Sequence, residues 1–63
     1  MTHDQKLVLS ELSSEWSYTV DELAGELQLT PSAVKDALRI LEARGLACRE
    51  ANSHPAAWRR VSA

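Results

Sequence analysis

The residues of this chain that could do chemistry are its cations, two histidines, one cysteine and a scatter of serines. His3 and His54 lie near opposite ends and Cys48 is the sole thiol. That is no metal-ligand spacing, and a zinc site would need ligands from another chain. The serines have no histidine base and acid arranged near them, and Gly25 and Gly45 stand alone rather than in a phosphate-cradling loop. Neither catalytic residues, nor a metal, nor a cofactor is therefore expected, and the chain reads as a non-enzyme. Cys48 is expected to be a small, half-buried strand residue, with Arg49 beside it the one argument for a redox-sensing thiol. The charges say more. Residues 1–29 contain one base (Lys6) against Asp4, Glu11, Glu15, Asp21, Glu22 and Glu26, a balance of −5. Residues 30–63 contain Lys35, Arg39, Arg44, Arg49, Arg59 and Arg60 against Asp36, Glu42 and Glu50, a balance of +3. The net charge of −2 argues against a polyanionic partner; its division near residue 30 leaves a basic half that can face phosphates.

Those cations need elements to hold them, and 63 residues allow only one small domain. With a single cysteine the core must hold without an intrachain disulfide. No apolar run exceeds three residues, and Thr2-His3-Asp4-Gln5 is not the basic start of a signal peptide. A cytoplasmic protein with no membrane partner is expected. Leu7, Val8, Leu9 and Leu12 form the apolar stripe of a helix over about 3–14. Ser13, Ser14 and Ser17 break that pattern, with Trp16 expected to fold back onto the core. A short strand over 18–20 follows. Thr19-Val20-Asp21-Glu22 has the form of a capping box, opening a second helix over about 20–28. Thr30-Pro31 caps a third, about 31–44, whose stripe is Val34, Ala37, Leu38 and Leu41 and whose terminator is Gly45. From Leu46 the period changes to that of strands, with Asn52-Ser53-His54-Pro55 as the turn of a hairpin over about 46–62. Trp58 and Val61 have opposite parity, so a regular strand cannot turn both towards the core, and either a bulge or an exposed Trp58 is expected to resolve this.

Val8-Leu9-x-x-Leu12, then Thr19-Val20-Asp21-Glu22-Leu23-Ala24-x-x-Leu27-x-Leu29-Thr30-x-x-Ala33-Val34, then Leu38-x-x-Leu41-Glu42-x-x-Gly45-Leu46, resembles a winged helix-turn-helix domain. The pattern is similar to that of MarR-type and related bacterial, phage and archaeal transcriptional regulators, and it covers nearly the whole chain. The resemblance implies an α+β fold, mainly α: three helices with a C-terminal two-stranded β-hairpin wing, forming one domain over 1–63. The chain departs from many such regulators in lacking the extra terminal helices through which they dimerise. Pro55 ahead of Trp58 is also similar to domains that bind left-handed nucleic acid. Those domains pair the wing Trp with a Tyr and an Asn, where this chain has Arg39 and Lys35.

The function implied is sequence-specific binding of double-stranded DNA by a small transcriptional regulator, with the third helix in the major groove and the wing on the backbone. With the apolar stripe turned inward, Ser32, Ala33, Lys35, Asp36 and Arg39 face out. Thr30 and Ser32 could donate to a phosphate, and Lys35 and Arg39 could reach bases or backbone. Asp36 could accept from cytosine, pair with Arg39 or repel the backbone. Arg49, His54, Arg59 and Arg60 belong to the wing as a phosphate clamp or minor-groove probe. Trp58 is expected to close the wing onto the helices, the other reading being a ring that stacks on a base or sugar. The rival function is a protein-interaction module docking through the acidic first half, in which a homodimer or another protein is the partner. A contiguous positive surface would favour DNA; one broken up by Asp36, Glu42 and Glu50 would favour docking.

Overall fold

Thr2 opens the first helix by a capping box, its hydroxyl accepting from the Gln5 N–H while the Gln5 amide oxygen accepts from the Thr2 N–H, both at 3.2 Å. The computed structural model describes residues 1–61. Helix α1 runs His3–Glu11 and buries Val8. It stops short of the expected residue 14 because Leu12, still bonded to the Val8 carbonyl, is extended at φ −63°, ψ 143°. Leu12 remains buried, and the Ser13 carbonyl beyond it accepts from the Arg60 N–H at 2.9 Å. The chain is drawn off the helix towards the C-terminal strands. Trp16 does not fold back: it is 56% exposed, its indole N–H donating to the Tyr18 hydroxyl at 2.8 Å. Tyr18, the next aromatic, is the one that packs on the core.

Strand β1 is Tyr18–Thr19, and helix α2 begins directly after it as Val20–Leu27. The expected capping box is present. The Thr19 hydroxyl accepts from the Glu22 N–H at 3.1 Å, and the Glu22 carboxylate accepts from the Thr19 N–H at 2.8 Å. Asp21 and Glu22 also lie at the positive end of the helix. Thr19→Ala is expected to cost about 1 kcal/mol, read as a lower midpoint in urea denaturation with an unchanged slope. Gln28 closes α2 in the left-handed region at φ 56°. The Leu29 N–H then returns to the Ala24 carbonyl, making the tight turn into α3, Pro31–Ala43. Thr30 caps α3 through the Ala33 N–H at 3.1 Å, with Pro31 at the first position. After Arg44, Gly45 at φ +75° ends it, a backbone conformation an L side chain adopts only with strain.

The wing is β2, Ala47–Arg49, and β3, Ala57–Arg60; residue 62 of the expected hairpin lies outside the described residues. The sheet has three strands rather than two, in the order β1-β3-β2, all antiparallel. Tyr18 pairs with Trp58 and Thr19 with Ala57, so β3 is central. The parity conflict is resolved by neither a bulge nor an exposed Trp58: the register of β2 with β3 is continuous and Trp58 packs on the core, while Val61, past the end of β3, is the exposed residue. Val8, Leu12, Leu23, Ala24, Val34, Ala37, Leu38, Leu41 and Ala47 form one core cluster, with α3 at its centre supplying four of them. Among the described residues no helix is long and apolar enough to cross a membrane.

Candidate nucleic-acid interface

Helix α3 determines which side chains reach outward. Val34, Ala37, Leu38 and Leu41 are buried against α1, α2 and β2, so at 3.6 residues per turn the opposite line holds Ser32, Asp36 and Arg39. Lys35 lies on the flank nearer the wing. All four are exposed. Lys35 borders a cleft of about 270 Å³ with Pro31 on its own helix, Val20 at the start of α2, and Pro55, Ala56 and Trp58 from the wing. Helix α3 and the wing therefore meet around a mainly apolar notch with an ammonium group at its edge.

Thr30 is exposed, and its hydroxyl oxygen is already used as the helix cap. Its O–H hydrogen stays available as a donor. Asp36 and Arg39 are not independent: Nη2 of Arg39 donates to Oδ1 of Asp36 at 2.7 Å, with the two side chains 75% and 67% exposed in that order. A second cleft, about 350 Å³, lies between this pair and the start of α1 at Thr2, Asp4 and Gln5.

In the wing, directly paired residues share a face of the sheet. Arg49 is paired with Trp58 and Arg60 with Ala47, whereas Arg59 is paired with Cys48 on the other face. The two neighbouring arginines thus point opposite ways. Arg59 is also engaged, its Nε donating to Oε1 of Glu50 at 2.9 Å. The Cys48 side chain paired with it across the strands and, after it, the Glu50 charge push the Arg59 pKa up, so the guanidinium stays cationic. Arg49 and Arg60 are exposed. His54 is exposed in the turn, beside Ser53, whose hydroxyl donates to the Pro55 carbonyl at 2.9 Å. Cys48 is half-buried and free, as a small strand residue should be.

The positive surface is therefore broken into pieces. Asp36 pairs with Arg39, Glu50 pairs with Arg59, and Glu42 accepts from the Trp58 indole N–H at 3.2 Å. The Glu42–Trp58 bond was not foreseen. Its signal lay in the helical spacing, because Glu42 is seven residues after Lys35 and so lies on the same wing-facing flank. No group of three or more metal-ligating side chains is found among the described residues.

The family model for the bacterial regulatory protein, arsR family, matches residues 4–47, from the start of α1 into β2. A solved structure described as a MarR family protein from Bacillus stearothermophilus is similar over 98% of this chain, with a TM-score of 0.81 and 29% identity. The chain spans 44% of that protein's length. None of the curated proteins compared with it matches. The fold is the winged helix-turn-helix, here with β1 as the third strand of the wing sheet.

Proposed function

The chain belongs to the bacterial regulatory protein, arsR family, and from that premise we propose that it is a transcriptional regulator that binds double-stranded DNA sequence-specifically. The observation supporting this reading is the exposed line of Ser32, Lys35, Asp36 and Arg39 on the one helix whose opposite face is the centre of the core. A helix held rigidly from behind, with a guanidinium and an ammonium outward, suits the major groove, where an arginine fork reads guanine. The Thr30 and Ser32 hydroxyls at the start of α3 would donate to a phosphate, adding to the positive end of the helix. Arg49, His54, Arg59 and Arg60 would lie along the backbone beside the groove. One copy then brings four to six cations to the duplex, so a second copy joined to the first and seated on an adjacent half-site would raise the affinity by making the second binding event intramolecular.

The test is a salt titration of the whole chain on a duplex labelled with a fluorophore. Binding is expected to weaken with a log–log slope of about −4 to −5, as for roughly four to six neutralised phosphates. No duplex binding at low salt would overturn the proposal.

A second reading is favoured by one observation, the pairing of Asp36 and Glu50 with cations of the same surface. It makes the domain a docking module whose acidic first half, with Glu15, Asp21, Glu22, Glu26 and the indole of Trp16 all exposed, meets a basic protein or a second copy. Chain that pulls down no duplex but self-associates would support it.

A further inference from the structure

Asp36 is an exposed acid, 67% accessible, and it sits in the middle of the line that would enter the groove. As a device for stability it has little value: a pair this exposed contributes about 0–1 kcal/mol, and an i,i+3 pair on a helix surface is at the low end of that range. As a device for binding it has two definite effects. An unpaired carboxylate here would repel phosphates. Paired, it draws Arg39 along the helix axis and commits a single N–H of the guanidinium, at 2.7 Å, leaving four of the five donors free. The side chain that would read a base is thus biased towards one orientation before DNA arrives, which lowers the rotamer entropy lost on binding. The same carboxylate subtracts from the sequence-independent attraction that every duplex offers.

We propose that Asp36 is a specificity-determining positioning residue: it orients Arg39 for a base edge and suppresses binding to DNA through the backbone alone. This rests on the DNA-binding reading above. Glu50 stands in the same relation to Arg59 on the wing, at 2.9 Å, so each half of the surface has one cation held by an acid. Lys35 on α3, and Arg49 and Arg60 on the wing, are in no ion pair among the described residues and are left to attract phosphate.

The experiment uses the full chain, a random-sequence duplex, and duplexes enriched from a random pool by the unmodified protein. Asp36→Asn keeps the side-chain shape and removes the charge. It is expected to bind the random duplex roughly fivefold more tightly near 0.1 M salt, with a log–log slope steeper by about 1. Its preference for the enriched duplex over the random one is expected to fall by at least about fivefold, the lower end of what one arginine–guanine pair discriminates. Asp36→Glu, which restores the carboxylate, should recover most of that preference, and thermal melting should be nearly the same for all three proteins. If the unmodified protein binds duplex but Asp36→Asn alters neither the random affinity nor the preference, this proposal is overturned and DNA binding stands. If the unmodified protein binds no duplex, both fall together.

Discussion

Lys35→Ala combined with Arg39→Ala is expected to weaken binding to a random duplex by at least about 50-fold near 0.1 M salt. Each cation that neutralises a phosphate changes the log–log salt slope by about 0.9 and the affinity at that salt by nearly tenfold. The slope should therefore become shallower by about 2. Both residues are exposed on a helix whose stability comes from its other face, and alanine is a better helix former than either, so the fold should be unaffected. The single variants should not be equal. Removing Lys35 deletes one charge. Removing Arg39 deletes one charge and also releases Asp36, at present bonded to it at 2.7 Å, to repel the backbone. Arg39→Ala should then be the more damaging by several-fold, and more so on an enriched sequence than on a random one. Fluorescence anisotropy across a salt series measures all of this. A double variant with the original slope would remove α3 from the interface.

Leu41→Ala is expected to have the largest effect on stability. Its side chain is fully buried within the cluster to which α1, α2 and β2 all contribute. Truncating a buried leucine costs about 2–5 kcal/mol, the upper part arising when the walls cannot collapse into the space. A 63-residue domain has only about 3–9 kcal/mol in total at the usual 0.05–0.15 per residue. The variant should lose at least about a fifth of its stability and, at the upper end, the cooperative transition itself. Ile40→Ala, one position away and already 38% exposed, should cost no more than about 1 kcal/mol. Urea denaturation followed by far-UV circular dichroism gives both values. Near-equal losses would mean that α3 does not sit at the centre of the core.

What the sequence made legible was what is decided locally. Thr19 with Glu22, Thr30 with Pro31, and Gly45 each act within one helical turn, so residue type and spacing are enough. The stripe of α3 is equally plain, and all four of its expected core residues are buried. The joining of β1 to the wing was not legible, because it depends on a register between positions 18 and 58 that no local pattern encodes. Trp16 was misread for a related reason. Hydrophobic type marks a candidate for the core, but it is Tyr18, in the strand paired with β3, that packs there, while Trp16 ahead of the strand stays exposed. Of the interface, the i,i+3 relation of Asp36 and Arg39 could be seen as one option among three. The Glu50–Arg59 and Glu42–Trp58 contacts required the hairpin to be closed.

The pairing of Tyr18 and Thr19 with Trp58 and Ala57 has a consequence for how the domain comes apart. Those two pairs close a loop that contains both helices of the helix-turn-helix, and Thr19 is at the same time the cap of the first of them. Peeling the wing away therefore strips a strand partner from the residue that starts α2, while the Ser13 carbonyl at the end of α1 loses its bond to Arg60. The wing is not a loose flap on a preformed helical body. Hairpin and helices are therefore expected to open together, which amide hydrogen exchange would show as similar protection in β3 and α2.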